Sequence, residues 1–505
     1  MKLQGFKYFV FASVLFLSFL SCGKEYVELD PTGTGTFLEE NYYSDQTQAF
    51  SGLIAVYDLL GKEARGFENM VTMMNAASDD HHAGGGGPDD GAGIHAFADY
   101  SITPSTIPAS YWNDYFQGIF RANILLAKLP TVPMDEATKG RYIAETKALR
   151  AYFYFQLVRM FGNIPLIVEP LATADIYNVP QAPKDAVYAQ IEKDLEEAKA
   201  VLPPSLNMAT EAGRFTKGAA QALLGKVYLY NGKNAQAASE LAEVNGTPGG
   251  TSQYGYRLLD NFADLWDFNN TFHSESILET TNTNQSNADW GFWGSGADEG
   301  NSINIMVGPR SYVRNAGSTA PDYAPGWSFN VFTQEFYDLI QGDPRFDATV
   351  ADLKAFEEAG EIEYLHGDRD TGYYLKKFMP LNSDASTGGG VKELNYQQHV
   401  YMIRLADTYL LEAEALGGSG SRAQALLDAV RARVGLTPVP VSLDAIALER
   451  RLELAGEGHR WFDLVRTGRA STALASKGFT AGKNEVLPIP LRDTENTLIE
   501  QNPHY

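Results

Sequence analysis

The sequence predicts a mainly α-helical protein, in which tetratricopeptide-like helical pairs form a scaffold that carries a loop-rich ligand-binding lobe. Three observations predict this fold class. Apolar residues recur at intervals of three and four in several segments, glycines follow these segments, and long stretches rich in Gly, Asn, Ser and Trp separate them. The 505 residues contain 44% hydrophobic and 20% charged side chains, which is typical of a packed globular chain.

The helical pairs are indicated by a repeated order of helix, glycine turn and second helix. One predicted helix ends at Gly162, and similar helices end before Gly232 and Gly417. After the last two glycines, Asn234 and Ser421 are predicted to cap the second helix of each pair. The pairs do not recur at a strict period of about 34 residues. We therefore expect a helical scaffold that is interrupted by insertions.

The amino terminus has the features of a secretion signal followed by a lipidation site. Two lysines precede an apolar run from Tyr8 to Leu20. This run is too short to span a bilayer, because a spanning helix needs about 20 residues. Cys22 follows in a stretch similar to a bacterial lipobox and is the only cysteine of the sequence. We therefore expect residues 1–21 to be a signal peptide and residues 22–40 to be a flexible leader lipidated at Cys22.

The folded body is predicted to comprise residues 41–505. Changes in composition divide it into three parts. These are an amino-terminal part (about 41–230), a loop-rich insertion (about 245–330) and a carboxy-terminal part (about 331–505). A further Gly-rich stretch, residues 81–93, is expected to be neither a helix nor a central strand. Residues 382–395 are again rich in Ser and Gly.

Composition and motifs exclude several classes of function. Asp and Glu total 63 against 40 for Lys and Arg, a net charge of -23, so that nucleic acid and anionic lipid headgroups are poor partners. The single cysteine excludes a Cys-based metal cluster. The sequence contains neither a phosphate-binding loop nor an HExxH motif, and the numerous carboxylates single out no glycosidase pair. We expect no cofactor and no catalytic residues.

The aromatic residues of the loop-rich insertion are the candidates for a ligand site. Trp290 and Trp293 lie among glycines, and Trp327 follows a turn-prone stretch, so that the three rings have little local cover. An exposed indole can cover the C–H face of a sugar, while nearby polar groups bind its hydroxyl groups. The predicted glycan-binding residues are Trp290, Trp293, Trp327, Tyr312, Asn287, Asp289, Arg310 and Tyr100. Further polar candidates are Asn282, Asn284, Gln285, Asn304 and Arg314. The alternative is that the tryptophans fix a long loop to the scaffold.

The first Gly-rich loop offers carboxylates and imidazoles, which are ligands for divalent ions. These side chains are Asp79, Asp80, His81, His82, Asp89 and Asp90. Their spacing matches no EF-hand or zinc pattern, and a solvated acidic loop is the favoured interpretation. We therefore predict no metal site, although Tyr100 and Tyr111 close by could border a ligand groove.

Six groups of short motifs occur in the order found in one known family. They are Tyr111 to Asn123, Ala148 to Leu166, Arg214 to Ala220, Gly342 to Arg345, Glu449 to Leu464, and the tail with Leu487 to Pro490 and Gln501 to Pro503. These motifs resemble the SusD/RagB family of Bacteroidetes outer-membrane lipoproteins. The resemblance covers nearly the whole chain after the signal peptide.

The resemblance implies a function and a location. Such a protein is attached to the cell outer membrane through its lipid, faces the cell surface and binds an oligosaccharide or polysaccharide. It delivers this glycan to a SusC-like TonB-dependent outer-membrane transporter and is not an enzyme. A surface binder of peptide or another non-glycan nutrient is one alternative, and a surface glycoside hydrolase is the other.

Two groups of conspicuous residues are interpreted as structural. The mixed charges between Glu449 and Asp463 have helical spacing, which favours ion pairs that join helices over a catalytic site. Trp112, Trp266 and Trp461 lie in apolar or motif contexts and are expected in the core.

Overall fold

The computed structural model describes residues 42–285, 289–291 and 298–505. In this part of the chain helices predominate over strands, which confirms the predicted fold class. The amino-terminal helices are α1 (Gln46–Tyr57), α2 (Met70–Ala77), α3 (Ala92–Ala98), α4 (Ser110–Lys128), α5 (Glu136–Phe161), α6 (Lys184–Val201), α7 (Met208–Glu211), α8 (Lys217–Tyr230) and α9 (Asn234–Asn245). The others are α10 (Ile303–Val307), α11 (Gln334–Ile340), α12 (Phe346–Thr349), α13 (Leu353–Glu358), α14 (Leu405–Ala415), α15 (Gly420–Arg433), α16 (Leu443–Glu453), α17 (Arg460–Arg466), α18 (Ala470–Ala473) and α19 (Leu491–Thr494).

The long helices form a scaffold in which each helix packs against the next. Contacts run from α4 to α5, α6, α8, α9, α14 and α15 in turn. Small residues permit these close crossings: a side-chain carbon on Gly225 of α8 would come within 2.6 Å of Leu241 on α9. The main hydrophobic core lies among these helices. Within the described residues, no helix is long and apolar enough to cross a membrane.

The predicted helix–glycine–helix units are present as α8–α9 and α14–α15. Gly232 (φ 72°) and Gly417 (φ 73°) adopt the left-handed conformation that ends the first helix of each pair. The predicted caps of the second helices are wrong by one and two residues, since Lys233 precedes α9 and Ser419 precedes α15. At the second turn Gly418 (φ 62°) is also left-handed, so that the chain returns to a helix earlier than the sequence suggested.

The strands are short and pair in four antiparallel sheets of two strands each among the described residues. The pairs are β1 (Ile164–Pro165) with β2 (Gln181–Ala182), β3 (Ser276–Glu279) with β8 (Tyr401–Arg404), β4 (Arg310–Arg314) with β6 (Ile362–Leu365), and β5 (Val350–Asp352) with β7 (Tyr373–Leu375). A second hydrophobic core packs beneath β4 to β7. This lobe carries the irregular segments that were expected to bind a ligand.

The Gly-rich segment after α2 packs against the segment after β4. His81 forms an isolated β-bridge with Phe332, and Gly84 forms one with Phe329. The expectation that all of residues 81–93 are non-helical is wrong at its end, because α3 begins at Ala92. Gly91 (φ 73°) makes the left-handed turn from which α3 starts.

Candidate functional site

Trp327 is held on a backbone that is hydrogen-bonded residue by residue. The N–H groups of residues 326–329 donate to carbonyl oxygens of residues 305–309 over 2.7–2.9 Å. Gly326 is required in this arrangement, because a side-chain carbon there would lie 2.4 Å from the Ile305 oxygen. The Trp327 ring is only partly buried and packs against the edge of the main core. The fold therefore presents this ring from a fixed position.

Trp290 stacks on Trp327. Their ring centroids are 6.0 Å apart with an interplanar angle of 26°, and Trp290 is 58% exposed. Phe67 extends the cluster, because its ring lies 6.2 Å from that of Trp327 and meets Phe329 edge-on at 5.3 Å. We refer to Trp290, Trp327 and Phe67 as the aromatic platform. Its arrangement matches the offset geometry that aromatic rings prefer.

Polar groups border the aromatic platform. The Arg310 guanidinium donates from Nη1 to Asp90 Oδ2 and to the Trp327 carbonyl oxygen, each over 3.2 Å. It also packs over Gly86, where a side-chain carbon would lie 2.8 Å from Cζ. Asp289 is exposed and accepts a hydrogen bond from the Gly291 N–H over 2.7 Å. A guanidinium group and carboxylates therefore lie beside the backbone segments that carry the two tryptophans.

The loops around the platform hold unfavourable backbone conformations. Ser311 (φ 51°), Ser328 (φ 61°) and Arg369 (φ 49°) are left-handed although none is glycine. Ser328 is fixed by its hydroxyl oxygen, which accepts hydrogen bonds from the Arg310 N–H (3.1 Å) and the Tyr374 hydroxyl (3.0 Å). Such conformations cost free energy and are concentrated at functional sites.

Four predicted ligand residues lie away from the platform. The Tyr312 side chain is buried, and its hydroxyl donates to the Pro321 carbonyl oxygen over 2.6 Å. The Tyr100 hydroxyl donates to the Ala77 carbonyl oxygen, and burial raises its pKa. Asn304 is fully buried, and Arg314 forms an ion pair with Asp322 at 3.3 Å. These side chains make interior or local contacts, and their assignment to a ligand site remains a prediction.

Other predictions for the site lie outside the described residues. Trp293, Asn287 and Cys22 are among them, as are residues 1–40. Their assignments remain predictions.

The acidic residues before the Gly-rich loop form ion pairs. The Arg460 guanidinium donates to Asp79, and that of Arg451 contacts Asp80 Oδ1 at 2.6 Å. His81 is buried with Nδ1 2.8 Å from the Asn330 carbonyl oxygen, and burial lowers its pKa to about 3. In the described part of the chain, no group of three or more His, Cys, Asp and Glu residues is placed to hold a metal ion. Asp79 and Asp80 are therefore structural and not part of a solvated acidic loop.

The mixed charges of the carboxy-terminal helices form the predicted ion pairs. Arg450 contacts Asp407 at 2.7 Å and Asp463 at 2.8 Å, and all three side chains are largely buried. Burial by itself would raise the pKa of Asp463, but Arg450 and Arg466 hold it at about 2. Trp461 is 1% exposed, which confirms its place in the core. These residues join helices through buried ion pairs.

Sequence reasoning missed one residue of the platform and one groove beside it. Phe67 follows Gly66 in a short turn, and no local pattern distinguishes it from a core residue. The groove lies between α1 and the end of β3. Of the described residues that line it, sequence reasoning had named one as a candidate ligand residue, Asn282.

Comparisons with known proteins identify similar chains. A family model described as "SusD family" matches residues 274–505, and one described as "Starch-binding associating with outer membrane" matches residues 37–229. A solved structure titled "Laminarin binding SusD-like protein" is 61% identical with a TM-score of 0.90, covering 92% of this chain and 100% of that one.

Two further proteins are similar to this chain. Surface glycan-binding protein A from Bacteroides thetaiotaomicron, solved in complex with laminarihexaose, shares the fold at 24% identity and a TM-score of 0.80, covering 91% of this chain and 99% of that one. SusD-like protein P25 of Formosa agariphila is 26% identical over 507 residues, which is 93% of this chain and 90% of the relative. The matched proteins are named as binding or SusD-like proteins.

Proposed function

The chain belongs to the SusD family, and we propose that it is a cell-surface lipoprotein that captures a laminarin-type glycan on the aromatic platform. The observation that carries this proposal is the stacking of the 58% exposed Trp290 on the fixed Trp327 at 6.0 Å. The 61% identical structure titled as laminarin-binding supports the choice of glycan. The captured glycan would then be delivered to a transporter for uptake.

The chemistry of the platform suits a neutral sugar. The flat C–H face of a pyranose ring loses little hydration when an indole covers it, and the hydroxyl groups at its rim need hydrogen-bond partners. Arg310, Asp90 and Asp289 supply donors and acceptors at the edge of the rings. Since Trp327 is already held in place, binding there orders few additional side chains.

The proposal also includes a membrane anchor and a transporter partner. A lipid on Cys22 would anchor the body to the outer membrane, and a SusC-like TonB-dependent outer-membrane transporter would receive the glycan. The family model described as associating with the outer membrane supports this location. The leader of residues 22–40 would separate the body from the lipid surface.

Titration calorimetry with laminarin tests the proposal. Trp290→Ala is expected to lower the affinity about five- to thirtyfold, because stacking on one ring contributes about 1–2 kcal/mol. The matched control is Tyr177→Ala, which removes a 64% exposed ring in the connection between α5 and α6. We expect the control to bind normally and both variants to keep the parent melting temperature.

Two outcomes would contradict the proposal. If Trp290→Ala binds laminarin as the parent does, the platform is not the glycan site. If prolonged incubation of the parent with laminarin releases new reducing ends, the protein is a hydrolase and the binding-only function is wrong.

A further inference from the structure

A groove lies between the scaffold and the ligand lobe. It has a volume of about 180 Å³ and is lined by Ile54 and Asp58 of the α1 region, by Arg65, and by Asn282 and Glu299. We refer to it as the α1 groove. A second cavity of about 250 Å³ adjoins it, because both are lined by Gly213, Arg214 and Glu279.

The α1 groove lies beside the platform. Arg65 lines the groove, and Phe67 of the platform is two residues later, so that their Cα atoms are at most about 7–8 Å apart. The loop that carries Trp290 begins and ends at the groove. At its base the Thr283 N–H donates to the Glu299 carbonyl oxygen over 2.9 Å, and the Glu299 carboxylate lies 3.9 Å from Arg65. The base of this loop is therefore at the groove, and Trp290 lies on the platform.

The lining of the groove has the chemistry of a sugar subsite. The lining includes two guanidinium groups, of Arg65 and Arg214, and three carboxylates, of Asp58, Glu279 and Glu299. Together they offer donors and acceptors to the hydroxyl groups of a neutral sugar. Among the described residues, two buried polar atoms at the groove have no hydrogen-bond partner, Nε of Arg65 and Oε2 of Glu279. Buried polar atoms are normally hydrogen-bonded, and an unpaired one is costly. The adjoining cavity adds the aromatic rings of Tyr254 and Phe272.

We propose that a long glycan bound on the aromatic platform continues into the α1 groove, where Asn282 and Glu299 hydrogen-bond hydroxyl groups of its further sugar units. This inference rests on the proposed function and extends it from one stacking platform to a site with several subsites. Short oligosaccharides would occupy the platform alone. Longer chains would also fill the groove and bind more tightly for that reason.

The dependence of affinity on chain length tests this inference. Laminaritriose and laminarihexaose are titrated into the parent, into the double variant Asn282→Ala/Glu299→Ala and into the control Glu358→Ala, an exposed carboxylate on α13. We expect the parent to bind the hexasaccharide more tightly than the trisaccharide. The double variant should lose about fivefold or more of its affinity for the hexasaccharide while its trisaccharide affinity stays within about twofold.

A second variant covers the case in which the double variant fails to fold. Ile54→Arg introduces a long side chain into the groove from a helix position that is 45% exposed, so that little core packing is lost. It should likewise weaken hexasaccharide binding alone, whereas Trp290→Ala should weaken binding of both sugars.

The possible failures are distinguishable. If the groove variants bind both sugars as the parent does, or lose both equally, the groove is not a subsite although the platform remains the glycan site. If the parent binds the two sugars equally well, the inference is also overturned. If the parent binds neither sugar, the proposed function itself is wrong and the inference is overturned with it.

Discussion

The buried ion pairs around Glu453 allow a quantitative test of the fold. Glu453, at the end of α16, is fully buried and receives three guanidinium groups. Its carboxylate lies 3.1 Å from Arg345 and 2.6 Å from Arg404, and Arg433 forms the third contact. Substitution by Gln keeps the shape of the side chain but removes its charge. The three buried cations would then lack one of their shared counter-charges.

The burial of these charges determines how much free energy of unfolding the Gln variant is expected to lose. Breaking a buried pair costs about 3–5 kcal/mol, because an uncompensated charge stays in a medium of low polarity. The matched control is Glu136→Gln, whose side chain is 84% exposed and contacts Lys139 at 2.8 Å. Exposed pairs of this kind contribute about 0–1 kcal/mol. Urea denaturation of both variants measures the difference in the free energy of unfolding.

Acid provides an independent check on the same residue. Burial alone would raise the pKa of Glu453, but Arg433, Arg404 and Arg345 hold it well below its ordinary value. The unfolded chain therefore binds this proton at a higher pH than the folded one. The stability that Glu453 contributes is present above about pH 4.5 and is lost as the pH falls through the folded pKa. The Gln variant should lose less stability in this range. A Glu453→Gln variant that unfolds within about 1 kcal/mol of the control, with the parent acid dependence, would refute the reasoning.

Two further predictions concern the membrane anchor and the dependence of stability on pH between 7 and 5. Cys22→Ala should release the folded protein from the outer membrane, since lipidation needs this cysteine. Membrane fractionation measures the release. A variant that still pellets with the membranes of cells lacking the transporter contradicts the prediction. His81 is buried with a pKa of about 3, so that it stays neutral in the folded protein while the unfolded chain takes up a proton below about pH 6.5. Stability should therefore fall by about 2 kcal/mol between pH 7 and pH 5 through this group, and His81→Gln should flatten the pH dependence of the urea midpoint.

Local sequence patterns were sufficient for the scaffold. The apolar spacing before Gly162 and Gly232 depends only on residues within one helix, and both glycines occur at helix ends in the structure. The ion pairs were recognised as structural from their helical spacing. Their partners Arg345 and Arg404 come from other segments of the chain, and no local pattern could identify them.

The site was predicted in parts. Trp290 and Trp327 were singled out because glycines and turns surround them, but their stacking depends on a tertiary contact between separate loops. The burial of Tyr312 was not predicted, although a local signal for it existed. It is the central residue of β4, where its neighbours Ser311 and Val313 are exposed and it points into the core. The alternation of a strand would have indicated this.

The composition of the Gly-rich loop is explained by its contacts with residues that are distant in the sequence. Its glycines and acids suggested a solvated loop, yet the glycines serve close packing. A side-chain carbon on Gly84 would lie 2.2 Å from the Ser328 carbonyl oxygen, and one on Gly91 would lie 2.8 Å from the Phe67 ring. Both glycines are also left-handed, at φ 75° and 73°. The loop can therefore approach the platform closely enough for Asp90 to reach Arg310 only because these positions carry no side chain. The glycine run and the tryptophans, which lie far apart in the sequence, are thus parts of one surface.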